Sequence, residues 1–300
     1  MTGVYLGLGS NLGDRVAHLD FARRRLEAQG VRILNASDEE NTGPVGIVDQ
    51  PDFLNQVVEV DTRLEPRPLL HACKQIEVAA GRTLGGQRWG PRELDIDILI
   101  YGDLNLDEND LVIPHPMLPD RRFVHRELAQ VAPVLMADAV VLVPYDPTWP
   151  DQFEAEADRL RKALGPVCVR VDHVGSTAVP GLVAKDILDI QVSVDALEPP
   201  ERFVDPLGSA GYAHVPDPRF PTYPFFRYPA EGPRRVHLHV ALAGSPEEME
   251  HVNFRDRLRE DQTLADLYVD LKRHLGRRYF TNRIAYSNSK GQFIGAALSD

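Results

Sequence analysis

Two cysteines in 300 residues, Cys73 and Cys168, are too few for a disulfide framework or a cysteine-built metal site. Lone thiols of this kind suit a reducing cytosol. Long apolar runs are missing too, since no stretch approaches the roughly 20 residues of a membrane helix. Met1-Thr2-Gly3-Val4-Tyr5 is not a basic region leading into an apolar one, so the expectation is no signal peptide, no membrane and a cytoplasmic protein. Basic excess is absent: the net charge is −12, with 14 Lys/Arg against 22 Asp/Glu up to Asp138 and 19 against 23 after it. Nucleic acid is therefore not an expected partner. An anionic ligand would have to be held by a local arginine cluster or by metal ions. There is no G-x-x-x-x-G-K-[ST] phosphate loop, and Gly7, Gly9 and Gly13 are not spaced as G-x-G-x-x-G. Internal repeats and low-complexity linkers are also lacking.

What is present fits two domains of ordinary composition, 43% apolar and 26% charged. The text changes near Val140, which places the boundary between 1–138 and 139–300. In the first part, Val4 to Leu8, Val31 to Ala36, Phe53 to Val60 and Leu94 to Tyr101 read as strands. One helix carries Val16, Leu19, Ala22 and Leu26 on a stripe, and another Leu69, Cys73, Ile76 and Ala80. Pro114-His115-Pro116 should be extended, and Arg126 to Val131 a short helix. In the second part, Val140 to Val143, Val167 to Val174, Ile187 to Val194 and Arg235 to Leu242 read as strands. A helix there carries Phe153, Ala157, Leu160 and Leu164, and the last 55 residues are mostly helical.

Asp95 and Asp97 stand two apart on a strand, so both carboxylates share one face. Such a pair repels itself unless solvated or bridged by cations. Mg²⁺ accepts one or two carboxylates together with phosphate oxygens. Gly81, Gly85, Gly86 and Gly90, with Arg82 and Arg88, form a glycine-rich basic segment before the strand, and Arg92 follows it. Arginines so placed can neutralise charge in phosphoryl transfer, and the glycines would let the loop close. A bare D-x-D could equally be a solvated strand face.

Residues 4 to about 135 resemble the 6-hydroxymethyl-7,8-dihydropterin pyrophosphokinase family. The resemblance rests on Gly7-Leu8-Gly9-Ser10-Asn11-Leu12-Gly13-Asp14, Asp49-Gln50-Pro51-Asp52-Phe53-Leu54-Asn55, Arg88 to Asp97, and Pro114-His115-Pro116. It implies a ferredoxin-like α+β fold and transfer of pyrophosphate from ATP to the pterin hydroxymethyl oxygen, leaving AMP. It further implies two Mg²⁺ ions on Asp95 and Asp97, with Arg82 and Arg92 stabilising the transferring charge. Leu70, Lys74, Glu77, Trp89, Ile98, His115 and Arg121 would form the ATP site. Phe53 and Phe123 would sandwich the pterin, as aromatic stacking favours. Asn55 and the backbone around Thr42, Pro44 and Val45 would meet its polar edge. A functional link to other folate-pathway enzymes is implied as well. Two places depart from the pattern: Leu84 and Gly85 stand where another basic residue is frequent, and Pro116 where an aromatic often follows the histidine. Phosphate clamping would then lean on Arg82, Arg88 and Arg92, and adenosine packing would be looser.

In the second part, His173 to Leu182 is a strand end and a small-residue loop, followed by Lys185 and Asp189. Backbone N–H groups around Gly175 and Ser176 could hold a triphosphate while Asp189 holds Mg²⁺. If the strands of Asp189 and of His237 and His239 are neighbours, the three side chains could converge as a transition-metal site. A polar, solvent-facing sheet side is the plain alternative. Residues 140 to 295 resemble the GrpB family in Tyr145 to Pro150, in Gly175 to Leu182 and in His237-Leu238-His239-Val240. That implies a nucleotidyltransferase-like α/β fold. Gln191 stands where such transferases carry a second carboxylate. Three readings stay open for this part: nucleotidyl transfer with an altered metal, ligand binding without chemistry, and an interaction module.

Overall fold

The computed structural model describes residues 3–44, 46–83, 89–216 and 224–299. The chain divides into two compact units, Met1–Val140 with Leu275–Tyr286, and Val141–His274 with Ser287–Asp300.

The first unit is built on β1 (Val4–Ser10). After α1 (Arg15–Ala28) come β2 (Arg32–Ala36), β3 (Glu40–Thr42) and β4 (Phe53–Asp61), then α2 (Pro66–Ala79) and β5 (Asp95–Tyr101). The strands form an antiparallel sheet in the order β2-β4-β1-β5, with β3 also on β4. One face carries Leu6, Leu8, Val58, Ile96 and Ile98, packed on Leu19, Ala22 and Leu26 of α1 and on Leu69, Cys73 and Ile76 of α2. Asp14 caps α1 by accepting the Ala17 N–H at 3.0 Å. Val16, expected on the buried stripe, lies in the first turn and is half exposed. Beyond β5 lie the hairpin β6 (Leu106–Glu108) and β7 (Leu111–Ile113), then α3 (Arg122–Val131) and α4 (Pro133–Asp138). Pro114-His115-Pro116, expected to be extended, turns instead. His115 N–H donates to Leu99 O at 2.9 Å, and its own carbonyl accepts the Leu118 N–H at 2.9 Å. Segment Leu275–Tyr286 adds Phe280, fully buried and stacked on His125.

The second unit opens with α5 (Trp149–Leu164). Val140 to Val143 forms no strand: Val143 makes an isolated bridge to Ala184, and the Val140 N–H is turned to Phe280 O. β8 (Cys168–Val174), β9 (Leu188–Val194), α6 (Glu201–Ser209), β10 (Ala213–His214), β11 (Phe225–Tyr228) and β12 (Val236–Leu242) follow. Their sheet has the order β10-β11-β12-β9-β8, with β12 and β9 parallel. Ile190, Val192, Leu238 and Val240 face Trp149, Leu160 and Phe203 in its core. Asp189, Gln191, His237 and His239 therefore face the other way. The C-terminal helices are α7 (Pro246–Glu260), α8 (Gln262–Arg278), α9 (Arg283–Asn288) and α10 (Gly291–Ser299). Phe254, Leu258, Ala265 and Tyr268 pack there against Val179 and Leu182. Among the described residues no helix is long and apolar enough to cross a membrane.

Candidate active site

The face of the first sheet away from α1 and α2 holds a cavity, with α3 along its side. Its floor is unusual for a central strand. Gly7 and Gly9 of β1 pair with Asp97 and Asp95 of β5, and on the other side with Val57 and Asn55 of β4. A Cβ on Gly9 would come within 3.2 Å of Asn55 Oδ1 and 3.7 Å of Phe53. The missing side chains leave room for a flat group on the sheet itself. Phe53 and Phe123 line the cavity, Asn55 and Thr42 its polar end, and Arg92, Asp95, Asp97 and Arg121 its charged end. Asn55 Nδ2 donates to Thr42 Oγ1 at 2.8 Å, which orients the amide.

Each carboxylate is matched by cations. Asp95 accepts from Arg82 at 2.5 Å and from Arg92 at 3.0 Å. Asp97 lies 3.3 Å from Arg121 and 3.6 Å from His115 Nε2. Burial pushes the Asp97 carboxyl up, but His115, Arg121 and Lys74 outweigh it and hold the group below the usual carboxylate range. His115 is pushed down by burial against the pull of Asp97. Its Nδ1 accepts the Met117 N–H at 3.2 Å, so in the neutral ring the proton sits on Nε2, toward Asp97.

Behind this layer stands Glu77, fully buried on α2. It accepts the Ile96 N–H at 2.8 Å and pairs with Lys74 at 2.7 Å and Arg82 at 2.6 Å. Glu77 thus ties the helix, the strand and the arginine together. Ile98, expected at the nucleotide, points its side chain into the core at 4% exposure, because alternation turns it away from Asp97. Leu70 packs partly against the same core. The approach to β5 is fixed by Asn11. Its Oδ1 accepts the Arg92 N–H at 2.7 Å, and its Nδ2 donates to Gln50 and to Pro51 O at 3.0 Å each. Gln50 in turn donates to Trp89 O at 2.7 Å. Val45, Leu84, Gly85 and Arg88 lie outside the described residues.

In the second unit, His237 Nδ1 lies 3.0 Å from Asp189 Oδ1, directly across the parallel pair. Gly175, at φ 67°, sits on this carboxylate, and a Cβ there would fall 2.5 Å from Asp189 Oδ2. The expected convergence of Asp189, His237 and His239 on one metal does not form. His239 lies opposite Gln191, two residues further along, and its ring meets His251 at 4.8 Å. Burial first, then His251, pushes His239 down to about 3. Among the described residues no three His, Cys, Asp or Glu side chains are placed to share an ion. Gln191 is committed as well, donating to Glu248 O at 3.0 Å and meeting His251 at 2.8 Å.

Residues 5–133 match the family described as 7,8-dihydro-6-hydroxymethylpterin-pyrophosphokinase (HPPK), and residues 139–300 match GrpB protein. A 2-amino-4-hydroxy-6-hydroxymethyldihydropteridine pyrophosphokinase of Methylorubrum extorquens is 45% identical over 137 residues, 45% of this chain and 86% of that protein. The chain belongs to the pyrophosphokinase family in its first part and to the GrpB family in its second. A UPF0157 protein of Pseudomonas aeruginosa is 38% identical over 163 residues, 54% of this chain and 67% of that protein. The crystal structure of conserved protein GrpB from Enterococcus faecalis is 30% identical and covers 53% of this chain and 98% of that one, with a TM-score of 0.47.

Sequence reasoning passed over three residues of the pyrophosphokinase-family unit. Asn11 and Gln50 sit inside the stretches that carry the resemblance, and their polarity beside a strand end was the available signal. Glu127 lies one helical turn after Phe123, lines the same cavity and is 1% exposed. Its Oε1 has no hydrogen-bond partner among the described residues.

Proposed function

We propose that the first unit transfers pyrophosphate from ATP to 6-hydroxymethyl-7,8-dihydropterin in folate synthesis, within a ferredoxin-like sheet. One observation carries this reading: an aromatic slot with a polar amide end opens directly onto two carboxylates flanked by arginines. The slot suits a flat, hydrogen-bonding ring, stacked between Phe53 and Phe123 with Asn55 at its edge. The charged end suits a triphosphate.

Asp95 and Asp97 offer hard oxygen donors on one strand face, and Asp97 is held ionised, so the pair fits Mg²⁺. Bound there, one or two such ions would neutralise phosphate oxygens. The protein's own part is positioning and charge. Arg82 and Arg92 face the transferring group, and Glu77 keeps Arg82 aimed from below. Lys74, Trp89, His115 and Arg121 border the nucleotide end. The pterin hydroxymethyl oxygen bonds the β-phosphorus as the bond from the α,β-bridging oxygen to that phosphorus breaks. AMP leaves and the hydroxyl proton passes to solvent. Asp97→Ala should lower kcat by at least about 100-fold with little change in pterin affinity. An equal loss of pterin affinity would contradict the assignment.

For the second unit we propose a nucleotidyltransferase-like fold that binds a ligand rather than transferring a nucleotide. Asp189 stands without a second acid on its strand, and Gln191 is tied to Glu248 and His251. A cytoplasmic setting and a link to other folate-pathway enzymes complete this reading, with ATP and the pterin as the small-molecule partners.

A further inference from the structure

α3 presents two residues to the aromatic slot, one helical turn apart. Phe123 offers its ring, and Glu127 follows on the same face of the helix and lines the same cavity. That spacing sets the carboxyl about 6 Å further along the helix axis, at the rim of a ring stacked on Phe123. Glu127 is 1% exposed, and its Oε1 is buried with no hydrogen-bond partner among the described residues. A buried carboxyl oxygen left open is costly, so a position that only filled space would favour an apolar side chain.

The neighbours of Glu127 are committed elsewhere. Arg126, beside it on α3, pairs with Glu40 of β3 at the surface. Gln56 Nε2 donates to Ser37 O at 2.7 Å, and Asn55 Nδ2 donates to Thr42 Oγ1. Arg92 pairs with Asp95, and Arg121 with Asp97. Burial, then the charge of Glu40, raises the Glu127 carboxyl to about 8 against the pull of Arg126. Near neutral pH the group is therefore a carboxylic acid, with one O–H to donate and one carbonyl oxygen to accept. That pattern is the complement of a ring amide, in which an N–H stands beside a carbonyl. The dihydropterin ring carries such an amide next to its 2-amino group.

We propose that Glu127 is a specificity-determining residue of the slot, its carboxyl pairing with the ring amide of the pterin beside Asn55. This rests on the reading of the first unit as a pterin pyrophosphokinase, and it names a contact that selects the acceptor. The carbonyl oxygen of the acid accepts the ring N–H, and its O–H donates to the ring carbonyl. The bound ring thereby satisfies the carboxyl that the protein leaves open.

Steady-state AMP release by the full chain, with ATP, Mg²⁺ and hydroxymethyldihydropterin, tests the assignment in the parent, Glu127→Leu and Glu127→Gln. At neutral pH, Glu127→Leu should raise the pterin Km at least about tenfold, with a smaller change in kcat and an unchanged ATP Km. Glu127→Gln offers the same donor and acceptor in its amide, and should return the pterin Km to within about threefold of the parent. The acid form is complete at low pH and is lost as pH rises through about 8. Ionised, the group turns an oxygen without a proton on the ring carbonyl. The parent's kcat/Km for pterin should therefore fall above about pH 8 relative to that of Glu127→Gln. An unchanged pterin Km in Glu127→Leu, or a Glu127→Gln no better than Glu127→Leu, would overturn the assignment and leave the pyrophosphokinase reading standing. So would an equal rise in the ATP Km, which marks general damage to the unit, or a parent and Glu127→Gln with the same pH profile. No AMP from the parent would overturn both the assignment and the reading it rests on.

Discussion

Gly9 is a residue whose side chain would do harm. Its position on a central strand would ordinarily favour a β-branched residue, yet a Cβ there meets Asn55 Oδ1 at 3.2 Å. Gly9→Val should therefore raise the pterin Km at least about tenfold while leaving the ATP Km nearly unchanged, as steady-state kinetics would show. An equal rise in both would point to general damage of the sheet. Glu127 tests the same cavity through stability. Burial, then the charge of Glu40, raises its carboxyl to about 8. The folded state thus favours the protonated form, and the stability this group supports is complete below its ordinary value near 4.5 and is lost as pH rises through about 8. Glu127→Gln, which keeps the shape and cannot ionise, should gain in Tm relative to the parent between pH 5 and pH 9. A difference that does not vary with pH would show that Glu127 is charged throughout.

Much of the first unit's element plan could be read in the residues, because β1, β4 and β5 carry β-branched or alternating patterns and α2 a clear stripe. The facing of Asp95 and Asp97 followed from alternation alone. Three-dimensional partners were not legible. Glu77 was expected to touch ATP, and only the packing of α2 on β5 shows it fully buried and accepting the Ile96 N–H. Pro114-His115-Pro116 misled because proline geometry allows a turn as well as an extended run, and the His115 and Met117 hydrogen bonds decide between them. β11 went unread inside a proline-rich stretch, although Phe225, Phe226 and Tyr228 suit a strand. The tie between Asn11 and the Arg92 backbone joins two elements 81 residues apart. Asn11→Ala should loosen Arg92 and lower kcat roughly tenfold or more, with a smaller effect on pterin binding. The stability cost should be about 1–3 kcal/mol in a denaturant titration, since the Arg92 N–H loses its side-chain acceptor. Unchanged kcat would remove Asn11 from the positioning role.

At the level of the whole molecule, each unit has its own core, so a two-domain chain was foreseeable from length and from the change of text near Val140. Less foreseeable was that Leu275–Tyr286, far along the sequence, belongs to the first unit. Phe280 is fully buried there, stacked on His125, and its carbonyl accepts the Val140 N–H at 2.8 Å. A fragment ending at Asp138 loses this cover and should melt below the first-unit transition of the full chain, by an amount in keeping with about 3–5 kcal/mol for a lost buried phenylalanine. Equal melting temperatures would show that the segment adds nothing to that unit. ATP labelled at the β-phosphorus, incubated with the full chain, Mg²⁺ and hydroxymethyldihydropterin, shows which phosphoryl group moves. Pyrophosphoryl transfer puts the label in the pterin product and releases unlabelled AMP. Label retained in ADP, with only the γ-phosphate on the pterin, would contradict it.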